Sequence, residues 1–286
     1  MRPEDLWNLP DAQTIVHKQQ KNGAWRYPGG SSRIRSMENY DQIETFRNLG
    51  YLVEMYGFDS TSPTITKAAE FFCRYQTEDG DIRGILGNQY SPYYTAAIAE
   101  LLIKAGYAKD ARMDKIFGWL ASIRQDDGGW AIPLRTQKKN LAIILTRSKP
   151  LEPDRTQPFS HMVTGVVLRA YAAHPKYRKS REAHEAGALL LSHFFRKDNY
   201  PDRKGLEFWT RFSFPFWFTD LVSAMDSLTI LGFPKDEPPI HKAIQWFISH
   251  QAPGGLWNLH TVRNKKLESD LWISLAICRI LRRLYP

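Results

Sequence analysis

Cysteine is nearly absent. Cys73 and Cys278 are the only two in 286 residues, too few for a disulfide framework. Each falls inside an apolar pattern, where a free thiol is expected to behave as a small hydrophobe. Long hydrophobic runs are missing as well. No stretch approaches the ~18 consecutive apolar residues that a bilayer crossing needs, and Met1 to Asp5 open the chain without an apolar run. A cytoplasmic location is expected, with peripheral membrane contact left open. No low-complexity stretch or charge run marks a linker.

What is present is apolar and aromatic. With 43% hydrophobic and 13% aromatic residues, the chain can bury a large core as one domain or a continuous array. A formal net charge of +9 favours an anionic partner: phosphate, an acidic membrane surface or nucleic acid. Nucleic acid is the least expected, because the basic residues are scattered through loops and no known binding module is visible.

The strongest signal is self-similarity. Lys67, Ala68, Phe71, Phe72 and Gln76 recur at the same spacing as Lys242, Ala243, Trp246, Phe247 and Gln251. A glycine and then a bulky apolar residue follow each glutamine: Gly80 and Ile82, Gly255 and Trp257. Ile15, Val16, Gln20, Gly23 and Trp25 form a third copy, and Trp119, Leu120, Gln125, Gly128 and Trp130 a fourth. A degraded copy, without the glutamine and tryptophan, lies near Ala186 to Arg196. A second mark follows. Asp41, Ser91, Ser160 and Asp270 each precede Thr45, Thr95, Thr164 and Ser274 by four residues. In the degraded copy Thr219 carries this mark, with Pro215 in the cap-like place. Serine and aspartate are favoured helix caps, so each unit reads as a helix, a glycine turn and loop, and a second, capped helix. The second helices are apolar nearly all round, as buried helices are. The first helices are more charged. The stretch from Lys138 to Gln157 reads as the one extended loop, a lid or insertion.

The recurring order of basic, small, aromatic, aliphatic, glutamine, glycine and tryptophan resembles the QW repeat of triterpene cyclases such as squalene-hopene cyclases. It resembles more loosely the repeats of protein prenyltransferase β subunits. The resemblance implies an all-α, (α/α) toroid of about five helix hairpins forming a single domain, residues 1–286. The repeats would be about 11–58, 62–107, 111–174, 181–233 and 237–284. It also implies a cavity receiving an isoprenoid chain, and a scaffold role for Gln20, Trp25, Gln76, Gln125, Trp130, Gln251 and Trp257. The departures bear on chemistry. The Asp-x-Asp-Asp acid motif of the squalene cyclases does not occur, since Asp126 and Asp127 belong to a turn, and neither cysteine has the aspartate of the prenyltransferase zinc pattern. No cofactor is expected beyond Mg2+ accompanying a diphosphate substrate, and zinc is not expected.

A polar residue where sister helices are apolar calls for a reason, because burying it unpaired is costly. Asp220 stands where the others have Phe46, Ala96, Gly165 and Leu275. Asp226 stands against Leu52, Leu102, Tyr171 and Leu281, and Glu44 against Tyr94, Val163, Phe218 and Ile273. His161 lies beside a cap. These four are the catalytic candidates. Ordinary alternatives stand beside them: a first-turn carboxylate for Asp220, a satisfied or solvent-facing aspartate for Asp226, an ion pair with Arg47 for Glu44, and a local hydrogen bond for His161. Tyr93, Tyr94, Trp217, Phe218 and Trp272, near the caps, are candidates for an aromatic ligand wall able to stabilise a carbocation, unless they serve ordinary packing. The run Phe212 to Phe218 thickens it. Arginines and lysines of the connecting loops, among them Arg26, Arg33, Arg35, Arg83, Arg135, Lys138, Lys139, Arg147, Lys149, Arg203, Lys204, Arg211, Arg263, Lys265 and Lys266, would gather at the end carrying the second-helix N-termini, which suits an anionic head. Arg35 and Arg211 are the binding candidates among them. The functions in view are an isoprenoid-binding cyclase or transferase, a glycan-active enzyme with two facing carboxylates, and a non-catalytic interaction scaffold.

Overall fold

The computed structural model describes residues 3–29, 37–137, 149–257, 259–261 and 266–286. Among the described residues the regular elements are helices, with β pairing limited to isolated bridges. They are α1 (Pro3–Trp7), α2 (Pro10–His17), α3 (Met37–Glu54), α4 (Pro63–Cys73), α5 (Pro92–Lys104), α6 (Ala111–Ser122) and α7 (Pro133–Thr136). There follow α8 (His161–Ala173), α9 (Arg181–Ser192), α10 (Leu221–Ile230), α11 (Pro238–Ser249) and α12 (Lys266–Leu284). No helix among the described residues is long and apolar enough to cross a membrane.

Two devices start these helices. Proline opens α2, α4, α5, α7 and α11, where its fixed φ suits the first turn and its missing N–H costs nothing. Side-chain oxygens of Ser91, Asp110, Ser160, Ser180 and Asp220 accept first-turn amides of α5, α6, α8, α9 and α10. Ser91 and Ser160 thus act as expected. Asp41 and Asp270 do not, because they lie inside α3 and α12, and Asp41 instead accepts the Tyr27 amide at 2.7 Å.

The chain divides into two compact units. In the first, residues 1–123 with 132–154, α3 packs on α2, α4 and α5, and α5 packs on α6. In the second, residues 124–131 with 155–286, the second helices α8, α10 and α12 pack in succession. There α9 backs onto α8, and α11 touches α9 and α10. Burial follows the sequence pattern. In α5 Thr95 to Ile103 are all buried, and in α8 His161 to Ala172. First helices bury one face, as in α11 with Ile240, Ala243, Ile244 and Phe247, the spacing of a helical stripe. Cys73 is half-buried, and burial pushes its thiol up to about 11. Cys278 is exposed rather than inside a core.

The glycine turns are alike in detail. Gly23, Gly80, Gly128 and Gly255 have φ between 83° and 113°, a region costly for side-chain-bearing residues. Two residues on, the amide of the bulky residue donates to the hydroxyl on the second helix: Trp25 to Thr45 at 3.0 Å, Ile82 to Thr95 at 3.1 Å, Trp130 to Thr164 at 2.9 Å, Trp257 to Ser274 at 2.9 Å. The two recurrences in the sequence are therefore halves of one hydrogen bond. Gln76 donates to Gly80 O (3.1 Å) and to Arg112 O (3.0 Å) at the start of the next first helix. Gln251 reaches Gly255 O at 2.8 Å.

Two expected glutamines are displaced by one residue. In the first copy Gln19, not Gln20, donates to Gly23 O (3.0 Å) and Thr64 O (2.9 Å). In the third turn Arg124 takes the place, binding Gly128 O through Nε (2.9 Å) and Nη2 (2.6 Å) and Glu185 at 3.2 Å. Gln125 instead donates to Gln157 O at 2.8 Å. Of the long loop, residues 138–148 lie outside the described residues. The part that follows is docked in the first unit: Gln89 Oε1 accepts the Leu151 amide at 2.9 Å, and Leu151 packs with Leu134, Leu86 and Ile132.

Candidate functional site

The degraded copy departs from the others, and several of the candidate residues collect around it. After α9 the chain runs to Trp209, which is buried and donates its indole N–H to Arg196 O at 2.8 Å. The Phe212 to Phe218 run is not the start of a helix. It passes through a cis Phe214–Pro215 bond, and α10 begins only at Leu221. Pro215 is thus no cap and Asp220 no residue of the first turn: Asp220 is itself the N-cap. The mark on Thr219 is also displaced, since its hydroxyl donates to Met162 O at 2.7 Å.

Asp220 is wholly buried. Oδ1 accepts the Ser223 amide at 2.8 Å, and Ser223 Oγ accepts the Asp220 amide at 2.9 Å, forming a reciprocal cap. Oδ2 is buried with no hydrogen-bond partner. Burial pushes the carboxyl up to about 7, against the pull of the Ser223 hydrogen bonds, the Arg169 guanidinium and the Ser213 amide. Arg169, on α8, is itself buried and donates to Phe218 O at 3.3 Å.

The aromatic candidates of this unit form a connected set. Phe214 stacks on Trp272 with centroids 5.2 Å apart and meets Phe216 edge-on at 5.3 Å. Phe218 meets Phe208 edge-on at 6.1 Å. The Arg203 guanidinium lies 4.6 Å from the Phe218 ring centroid, and that of Arg211 5.3 Å from Phe208. Trp217 is half-buried, and its amide bonds Ser213 Oγ at 3.1 Å.

His161, the first residue of α8, is buried and stacks on Trp209 at 4.6 Å. Its Nδ1 has no hydrogen-bond partner and stands 3.8 Å from Asp198 Oδ2. That oxygen accepts from Ser160 Oγ (2.7 Å) and the Met162 amide (3.1 Å), so Asp198 reinforces the α8 cap. Burial pushes His161 down to about 4, with Asp198 pulling it up and His193 pushing it further down. The Thr219 to Met162 bond joins this cluster to the Asp220 turn.

The other candidates lie elsewhere. Asp226 pairs with Arg283 of α12 at 2.7 Å. In the first unit Glu44 meets Arg47 at 3.4 Å and Asn48 at 3.3 Å along its own helix. Tyr93 and Tyr94, both half-buried, meet edge-on at 5.1 Å, and Tyr94 meets Phe46 at 6.2 Å. Arg35, with Arg33, Lys138, Lys139, Arg147, Arg263 and Lys265, lies outside the described residues. Among the described residues no group of three His, Cys, Asp or Glu side chains is placed to hold a metal ion.

Two residues of this region are missed by sequence reasoning. Arg169 is a lone cation in an apolar run, but its sister positions are Gly50, Glu100, Ala224 and Arg279, so comparison of the second helices does not mark it, and a guanidinium is no proton donor near neutral pH. Asp198 lies in the loop of the degraded copy, where no sister position exists for comparison.

No protein-family model matches the chain, and no curated protein matches it by sequence. Among solved structures it is similar to the type II terpene cyclase MstE from Scytonema, with a TM-score of 0.59 and 15% identity over 98% of this chain and 73% of that one. A protein from Actinoplanes aligns with a TM-score of 0.46 and 15% identity, over 99% and 88% of the two chains. The likeness to MstE shows the fold: this chain has the all-α fold of a type II terpene cyclase.

Proposed function

We propose that this chain binds an isoprenoid ligand, polyprenyl or squalene-like, against the aromatic set of its second unit, and that Asp220 is the acid that protonates it. The carrying observation is the division of labour in that carboxyl. Oδ1 is held by the helix cap while Oδ2 is buried without a partner, and burial leaves it about half protonated near neutral pH. In the reaction Oδ2 would give its proton to an alkene carbon, whose π electrons form the new C–H bond. The neighbouring carbon becomes cationic, and aromatic faces such as those of Phe216 and Phe218 offset that charge. A diphosphate head would call on Arg203 and Arg211, with Mg2+ as its companion. The cyclase fold supports this reading, and the missing Asp-x-Asp-Asp motif requires Asp220 to act from a different place in the sequence.

The test is mass spectrometry of small molecules that co-purify with the native protein, followed by turnover of the recovered prenyl lipid. The expected result is a bound prenyl compound, cyclised by the wild type and at least ~100-fold more slowly by Asp220→Asn, which still binds it. Failure to bind or convert any prenyl compound would overturn the reading. A second reading, a non-catalytic scaffold, is favoured by one observation. Each candidate carboxylate already serves the fold, with Asp220 acting as a cap, Asp226 pairing with Arg283 and Glu44 pairing with Arg47.

A further inference from the structure

The Asp220 turn is tied to α8 by an unbroken hydrogen-bonded path. Arg169 Nη1 donates to Phe218 O at 3.3 Å, and Ser223 Oγ donates to the same oxygen at 3.2 Å. Ser223 Oγ also accepts the Asp220 amide at 2.9 Å, and the Ser223 amide donates to Asp220 Oδ1 at 2.8 Å. Every residue on this path is buried. A permanently charged guanidinium inside a protein needs a nearby compensating group. Arg169 has the Phe218 carbonyl, and its cationic centre lies 5.9 Å from the Phe216 ring centroid.

Among the described residues, the charged groups on the elements around α10 leave Arg169 as the cation that bears on the carboxyl. On α12, Arg283 is engaged by Asp226 and Thr229. On α11, Lys242 lies over the Phe195 ring. At the start of α8, His161 faces Asp198. Arg203 and Arg211, in the segment leading to α10, lie over Phe218 and Phe208.

We propose that Arg169 is a positioning residue for Asp220: through the Phe218 carbonyl that it shares with Ser223 it anchors the turn carrying the carboxyl, and its charge favours the carboxylate left after proton donation. The role in turnover rests on the reading of Asp220 as the acid, whereas the coupling between the two side chains does not. Arg169 acts on the acid from the adjacent helix, without touching the reacting atoms.

The experiment is a titration of the Asp220 carboxyl by infrared difference spectroscopy, subtracting Asp220→Asn in each background, in wild type, Arg169→Lys and Arg169→Gln. The expected result is a midpoint raised by at least one pH unit in Arg169→Gln and within half a unit of wild type in Arg169→Lys, which keeps the charge. Equal midpoints in all three overturn the proposal. If Arg169→Gln does not fold, the Asp220→Asn/Arg169→Gln double variant decides: a folded double supports the coupling, because both charges are then gone, and an unfolded one overturns it. A shifted midpoint keeps the coupling even where no prenyl compound is bound or turned over, so the two readings fail separately.

Discussion

The four regular turns and the degraded copy are built from the same chain logic to opposite ends. At Gly23, Gly80, Gly128 and Gly255 the backbone donors and acceptors are met by a fixed set of partners, and the bulky residue closes over them. In the degraded copy the turn is replaced by a long path through Trp209 and the Phe212 to Phe218 run. Asp220 Oδ2, at the end of that path, and His161 Nδ1, on the neighbouring α8, are buried without hydrogen-bond partners. A regular copy holds such atoms too, in the Gln42 amide; the degraded copy differs in placing one on a wholly buried carboxyl directly after an aromatic run.

The largest expected effects come from pH. Asp220 binds its proton more tightly in the folded chain, so its contribution to stability is present below the ordinary carboxylate value. It is lost as pH rises toward about 7, by up to about 4 kcal/mol. His161 works the other way. Its folded value, about 4, lies below the unfolded one, so its contribution is present above pH ~6.5 and is lost as pH falls, by up to about 3 kcal/mol. In the wild type the two slopes oppose each other between pH 4 and 6.5. Denaturant unfolding should show Asp220→Asn gaining stability with rising pH over that window and His161→Asn losing it. Flat profiles in both would remove the contrast.

Next in size is Gly80→Ala. A β-carbon there would sit 2.3 Å from Lys115 O at φ +113°, and a loss of about 3 kcal/mol is expected. Thr164→Val, which strips the Trp130 amide of its acceptor, should cost about 1–2 kcal/mol. The smallest effect belongs to the irregular copy. At Gly205 the three atoms nearest a β-carbon all belong to the side-chain end of Glu207, so Gly205→Ala should stay within ~0.5 kcal/mol of wild type. Equal costs at Gly80 and Gly205 would mean that the two regions are built alike.

The fold was legible where two patterns had to agree. Trp130 and Thr164 lie 34 residues apart, yet each belongs to a recurring mark, and their hydrogen bond explains why the marks recur together. Exact register was not legible where polar residues sit side by side. In Gln19-Gln20 and Arg124-Gln125 composition cannot say which side chain reaches the glycine carbonyl, and only the turn geometry does. Asp220 stood out as polar among apolar counterparts, but its role as a cap was hidden because the aromatic run delays the helix beyond the expected position of Pro215. Asp198 had no counterpart, so nothing in the sequence marked it.

Arg124 gives one joint of the array a character the others lack. Gln19, Gln76 and Gln251 fasten their turns with neutral amides, whereas Arg124 brings a full charge that also reaches Glu185 and lies 5.3 Å from the Trp130 ring centroid. Glu185 is partly exposed, so dissolved ions screen its attraction for the guanidinium. Added electrolyte therefore loosens the grip between that turn and α9 and leaves the amide-fastened turns untouched.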